Sequence, residues 1–293
     1  MSAGPHTAIA WIDAPPPGGR WGSPQELALP LCDRGLQLAD GLFDTVLVLD
    51  GRPRLLEQHL ARWHGGAALL GLEPPPNRQR VAALAREAIA RSGIRNGALR
   101  LNWSRGAPAA GPGRGLTIPD RSRHRFWLQL TAANPCFAPL RVIVSPTERR
   151  CASSLLSRCK SFGYGSAIQA RRQARAAGAD DALLSSSAGG LCCGTSANLL
   201  LRGPGGPWLT PPLASGCLAG VMRGRALELE LAREAVISAE ELAAGSGAVL
   251  LNSLGCRPIS RLEGKPLGGQ PKEQAEGLAE ALAEALWRRL LGS

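Results

Sequence analysis

The chain has 293 residues, 44% of them apolar, and a formal charge of +11. That apolar share excludes a disordered chain, and the length allows two domains of ordinary size. The basic residues stand singly or in pairs, with no run of five and no aromatic ladder between them, so a nucleic-acid partner is not expected.

In chain order, residues 6–13 (HTAIAWID) read as a strand. Residues 42–56 read as a strand, a turn at Asp50-Gly51 and a second short strand. LLEQHLARWHGGAALLGL reads as a helix with Leu56, Leu60 and His64 on one face, ending before EPPPNR. RVAALAREAIARSG is a second helix, and ALRLNWSRG and FWLQLTAA are strands around a Gly/Pro-rich loop, 106–120. The texture changes at Asn134-Pro135, so 1–133 is expected to be an N-terminal α/β domain, 134–139 a linker and 140–293 a second domain. In the second part LRVIVS, DALLSSS, NLLLRG, GPWLTP and AVLLNSL read as strands. SAIQARRQARAAG, CLAGVMRGRALELELARE and EQAEGLAEALAEALWRRLL read as helices. Mixed strands and helices throughout give an α/β (α+β) protein of two domains.

No apolar stretch reaches the roughly 18 residues of a membrane helix, and the first residues lack the apolar core of a signal peptide. The eight cysteines include no CxxC pair, so no metal site is expected. A reduced, cytoplasmic protein with free thiols is the expectation.

Only three residues are lysine, Lys160, Lys265 and Lys272, against thirty-one arginines. Lys265 and Lys272 fall in a Pro/Gly-rich loop. Lys160 lies between an apolar segment and a helix, followed by Phe162 and Tyr164, the single tyrosine. A chain that uses arginine almost everywhere has a reason to keep lysine where a primary amine is needed: lysine forms a Schiff base once burial lowers its pKa, and arginine does not. A solvent-facing lysine is the other reading.

PPLASGCLAGVMRG places Gly216 and Gly220 at a helix entrance, where backbone N–H groups and the helix dipole favour an anion. Arg62, in HLARW, is a candidate charged fork, and Ser253 ends a strand with a hydroxyl. Each alone is more often structural than functional.

Together these segments resemble the class IV aminotransferases, the fold type IV pyridoxal-phosphate enzymes, over almost the whole chain. DRGLQLADGLFDT resembles the family's opening signature, and LLSRCKSFGYGSAIQARRQA its lysine segment. GGLCCGTSANLLL resembles the segment passing the cofactor's pyridine ring, and SGCLAGVMRG the phosphate loop. The resemblance implies a two-domain architecture like that of D-amino-acid aminotransferase, with 140–293 binding pyridoxal 5'-phosphate. It implies Lys160 as the catalytic Schiff-base residue and Tyr164 beside the cofactor's phenolic oxygen. It also implies phosphate contacts from Arg62, Ser253 and the backbone of Val221 and Met222, and a homodimer acting on a small molecule.

SRGAPAAGPGRGL resembles the aminodeoxychorismate lyase branch, which releases 4-aminobenzoate and pyruvate in folate biosynthesis. Arg105 and Arg114 would then face substrate carboxylates. A branched-chain or D-amino-acid transaminase, or a diverged relative, is the alternative. One departure stands out: where the family has a glutamate against the pyridine nitrogen, this chain has Cys193, and no Asp or Glu occurs from Ala182 to Leu227. A thiol is a weak hydrogen-bonding group, so transamination is expected to suffer more than an aromatising elimination. Asp44 stands where the family has glutamate.

Overall fold

The computed structural model describes residues 8–14, 18–108, 115–119, 122–203, 207–267 and 272–292. The chain forms two units, Met1–Asn134 with Cys159–Gly163, and Pro135–Arg158 with Tyr164–Ser293. The five residues around Lys160 thus group with the N-terminal unit, an arrangement that a single linear boundary at 134–139 does not contain.

The N-terminal unit is one antiparallel sheet covered by helices. Its strands are β1 (Ala8–Ile12), β2 (Arg20–Gly22), β3 (Gly41–Leu49), β4 (Arg52–Pro53), β5 (Gly97–Pro108) and β6 (Ser122–Ala132). They lie in the order β2-β1-β6-β5-β3-β4. Asp50 and Gly51 both have positive φ, 54° and 75°, the conformation a tight hairpin turn requires. The helices are α1 (Arg34–Leu38), α2 (Leu56–Leu69) and α3 (Arg78–Ser92). Asn77 caps α3 by accepting from Arg80 N at 3.0 Å, and Gly93, at φ 70°, ends it. Leu60, Trp63 and Ala67 of α2 and Val81, Ala85 and Ala88 of α3 share one core with Leu99, Leu101, Phe126, Leu128 and Leu130 of the sheet. The buried stripe of α2 therefore runs through 60, 63 and 67. It does not run to His64, which is only half-buried.

The C-terminal unit is built on a closed ring of strands. They are β7 (Leu140–Arg150), β8 (Asp181–Ser186), β9 (Leu191–Gly194), β10 (Asn198–Arg202), β11 (Trp208–Thr210), β12 (Ala232–Glu234), β13 (Ala248–Asn252), β14 (Gly255–Leu262) and β15 (Lys265–Pro266). The order β10-β13-β14-β7-β8-β9 closes through a β9–β10 pairing. The helices are α4 (Gly165–Ala176), α5 (Val221–Glu228), α6 (Ala239–Ala244) and α7 (Lys272–Leu291). α4 connects the parallel pair β7–β8, as a parallel crossover requires. The helix expected over CLAGVMRGRALELELARE is much shorter. Gly220 opens α5, Glu230 turns left-handed at φ 55°, and Ala232–Glu234 pairs as a strand with β11.

Candidate active site

The signature DRGLQLADG folds into a brace. Asp33 caps α1, accepting from Gly35 N at 2.8 Å, and takes a further bond from Ser104 Oγ at 3.0 Å. Arg34 Nε and Arg105 Nε both donate to Asp40 Oδ2 at 2.8 Å. Arg105 also donates to the carbonyls of Gly71 (2.9 Å) and Leu70 (3.0 Å). Its guanidinium, expected to face substrate, is buried and engaged by its own unit. Arg114 lies outside the described residues.

Gly41 begins β3 because a Cβ there would overlap the Phe162 ring and the Trp103 carbonyl. That close approach seats the lysine segment. Phe162 N donates to Gly41 O (3.0 Å) and Phe43 N to Lys160 O (2.9 Å), while Leu42 bridges Ser161. Two cations share the Phe43 ring: Lys160 Nζ lies 4.4 Å from its centroid and the Arg100 guanidinium carbon 3.5 Å. Arg100 Nε also donates to Asn102 Oδ1 at 2.8 Å. Nothing in the sequence singles out Arg100, one arginine among thirty-one. The signal is its register on β5, where it pairs across to Thr45 two residues from Phe43.

On the same sheet Asp44 is fully buried. His59 Nδ1 lies 2.7 Å from its Oδ1, and Arg62 forks onto it, Nε to Oδ2 at 2.9 Å and Nη2 to Oδ1 at 2.8 Å. Burial pushes the Asp44 carboxyl up, but Arg62 and His59 together outweigh it and hold it well below the usual carboxylate range. Asp44 therefore stays ionised and fixes the guanidinium of Arg62.

In the C-terminal unit Gly220 caps α5. A Cβ at Gly220 would overlap Asn198 Oδ1, and Asn198 Nδ2 holds the approaching loop through Leu218 O at 2.9 Å. The first-turn N–H groups of α5, from Val221 and Met222, have no intrahelical partner, as at any helix start, and sit at the positive end of the dipole. Ser253 occupies the turn between β13 and β14, and Tyr164 precedes α4; both are half-buried. Cys193 is buried on β9, paired with Leu184 on one side and Asn198 on the other. Among the described residues no group of three His, Cys, Asp or Glu is placed to hold a metal.

The family model described as Amino-transferase class IV matches residues 41–262. The chain belongs to the class IV aminotransferase family. It is 27% identical over 207 residues to a chloroplastic D-amino-acid transaminase of Arabidopsis thaliana, a match covering 70% of this chain and 54% of that relative, about half its length. It is 44% identical over 69 residues to the bifunctional aminodeoxychorismate lyase / D-amino acid transaminase of Mycobacterium tuberculosis, covering 23% of this chain and 24% of that one. Among solved structures, a fold IV transaminase from Curtobacterium pusillum aligns with a TM-score of 0.79 at 25% identity, over 97% of this chain and 98% of that one. A hypothetical aminotransferase from Mycobacterium tuberculosis, solved with pyridoxal phosphate bound, aligns with a TM-score of 0.77 at 21% identity, over 95% and 98% of the two chains.

The class IV aminotransferases are pyridoxal-phosphate enzymes, and each unit of this member, taken by itself, holds a feature that suits part of that cofactor. A primary amine is seated on β3, and the glycine-opened start of α5 suits an anion. No helix among the described residues is long and apolar enough to cross a membrane.

Proposed function

We propose that this chain is a lyase acting on 4-amino-4-deoxychorismate, releasing 4-aminobenzoate and pyruvate, a step of folate biosynthesis. The observation that carries this reading is Cys193. The group supplies an electron sink for the pair released at the substrate's amine-bearing carbon, and a carboxylate on the ring nitrogen would deepen that sink. A thiol holds a proton there less well, which handicaps a reaction that must store the electron pair more than one that spends it at once in forming an aromatic ring. The SRG…GRG stretch and the bifunctional Mycobacterium tuberculosis relative support the same reading.

The roles follow from the chain's own residues. Lys160 would hold the cofactor through its primary amine and, once free, serve as the base at the substrate's amine-bearing carbon and as the acid toward the departing group. The ring–oxygen bond to the enolpyruvyl group breaks, the released enol becomes pyruvate by exchanging its hydroxyl proton for one at carbon, and the ring becomes aromatic. Arg62, Ser253 and the backbone N–H groups of Val221 and Met222 bind the phosphate, and Tyr164 orients the phenolic oxygen. Arg100, on the same aromatic ring as Lys160, suits a substrate carboxylate. Arg105, engaged within its own unit, is left out of this assignment. The working form is a homodimer in a reduced, cytoplasmic setting, in keeping with eight free cysteines.

The test is to supply freshly generated aminodeoxychorismate to the protein loaded with pyridoxal phosphate. Equal release of 4-aminobenzoate and pyruvate, lost in Lys160→Ala, is expected. Amino transfer from a D- or branched-chain amino acid to a keto acid, without 4-aminobenzoate, would instead establish a transaminase. The Arabidopsis relative supports that second reading.

A further inference from the structure

Arg150 ends β7 and is half-buried. Its guanidinium turns to backbone: Nε donates to Gly216 O at 3.0 Å and Nη2 to Ser157 O at 3.1 Å. Among the described residues it makes no ion pair, unlike Arg141, Arg171 and Arg223 of the same unit. Both acceptors lie at the end of a single 3-10 turn. Ser157 closes Leu155–Ser157, and Gly216 follows Leu213–Ser215. Carbonyls at such ends have no partner within the turn. One guanidinium serves both, because its N–H groups are fixed in a plane and its charge strengthens each bond.

The surroundings hold Arg150 in place. Ser187 N donates to Arg150 O at 2.9 Å, and Ala152 N donates to Ser187 Oγ at 2.9 Å, so the backbone is fixed on either side of the side chain. Gly216 turns left-handed at φ 84°, and a Cβ there would lie 3.1 Å from both Ala152 Cα and Cys151 O. Cys192 Sγ donates to Ser215 O at 3.2 Å, which ties the same loop to β9. The two carbonyls belong to segments with different destinations. The chain reaches Lys160 three residues after Ser157, and Gly220, the cap of α5, four residues after Gly216. Stretches this short span at most about 10 to 14 Å, so a displaced carbonyl is felt at the far side of each.

We propose that Arg150 is a positioning residue that couples anion binding at α5 to the seating of Lys160. From one planar group it sets the segment that leads to the lysine and the loop that leads to the helix start. An anion that fixes the loop fixes Gly216 O, hence the guanidinium, hence Ser157 O. Such coupling is reciprocal: an anion at α5 favours capture of an aldehyde by Lys160, and the captured aldehyde favours the anion. The inference rests on the pyridoxal-phosphate reading of Lys160 and α5. Arg150 itself acts through the backbone that it holds.

The experiment divides the cofactor into two probes, pyridoxal for the aldehyde and inorganic phosphate for the anion. The full chain, freed of cofactor, is titrated with pyridoxal in phosphate and in chloride at equal ionic strength, and the visible band of the bound state is followed. In the parent chain phosphate should tighten pyridoxal binding by about fivefold or more, the lower range of ordinary coupling between sites. In Arg150→Gln that advantage should vanish. It should vanish in Arg150→Lys as well, since an ammonium keeps the charge without the planar fork. A brace that serves stability alone would lower the melting temperature and weaken pyridoxal by the same factor in both salts. That result in either variant would overturn the proposal, as would a parent chain indifferent to phosphate. Arg150→Lys decides the matter if Arg150→Gln does not fold. A parent chain that gives no band with pyridoxal phosphate, or that keeps the band in Lys160→Ala, would instead remove the reading of Lys160, and the inference with it.

Discussion

Asp44 carries two partners at once, and its side chain sets where Arg62 can reach. Removing its charge leaves Arg62 without its counter-ion in a largely buried place, so Asp44→Asn should lower stability by about 3 kcal/mol. The folded carboxyl is held below its usual range. Its contribution is therefore fully present above the ordinary carboxylate pKa of about 4 and is lost as pH falls below that value. Urea unfolding of parent and variant should show a constant gap between pH 6 and 8 that narrows below about pH 4; a gap independent of pH would show that the ion pair is not its source. In the sequence this residue is only a shorter acid than the family's, and its meaning emerges only when α2 brings His59 and Arg62 onto β3. The two arginine assignments diverge for the same kind of reason. Arg105 stands in a recognisable pattern yet is taken up by Asp40 and two carbonyls. Arg100 has no pattern and reaches Phe43 through strand register, which periodicity alone does not reveal.

At the scale of elements, two glycines shape the backbone at the proposed cofactor contacts, one in each unit. Gly220→Ala would push Asn198 and the loop entering α5 apart. It should weaken pyridoxal phosphate binding at least tenfold, equivalent to about 1.4 kcal/mol, while leaving the weaker binding of phosphate-free pyridoxal little changed. Equilibrium dialysis with the two compounds separates a phosphate effect from general damage, and equal losses for both would count against α5 as the phosphate end. Gly41→Ala would displace the Phe162 ring and the lysine segment. Its expected signature is the opposite: both compounds lose the visible absorption band of the bound state. Most elements were legible in the sequence because their patterns were local. The Asp50-Gly51 turn, helix α3 and the long amphipathic α7 are examples. The helix expected over 217–234 was not, because nothing local announces a left-handed Glu230 or the pairing of Ala232–Glu234 with β11. Strand β9, four residues of LCCG, is too short to declare itself and exists through its neighbours β8 and β10.

At the scale of the whole chain, two units supply different parts of the expected site: Arg62 and Lys160 come from the N-terminal unit, and Tyr164, Cys193, Val221, Met222 and Ser253 from the C-terminal one. The N-terminal unit leaves Leu31, Leu116 and Ile118 largely exposed, and the proposed homodimer would cover apolar surface of this kind. Sedimentation equilibrium should accordingly give twice the monomer mass, and a monomer at micromolar concentration would remove the dimer from the account. The family and the two-unit architecture were readable because five ordered motifs span the chain, whereas the choice between lyase and transaminase turns on a few side chains. Everything in the account passes through Lys160. The most direct measurement is borohydride reduction of the protein loaded with pyridoxal phosphate, followed by peptide mapping. The cofactor is expected on the peptide containing Lys160 and on neither Lys265 nor Lys272. Attachment at one of those two lysines, or no attachment at all, would contradict it.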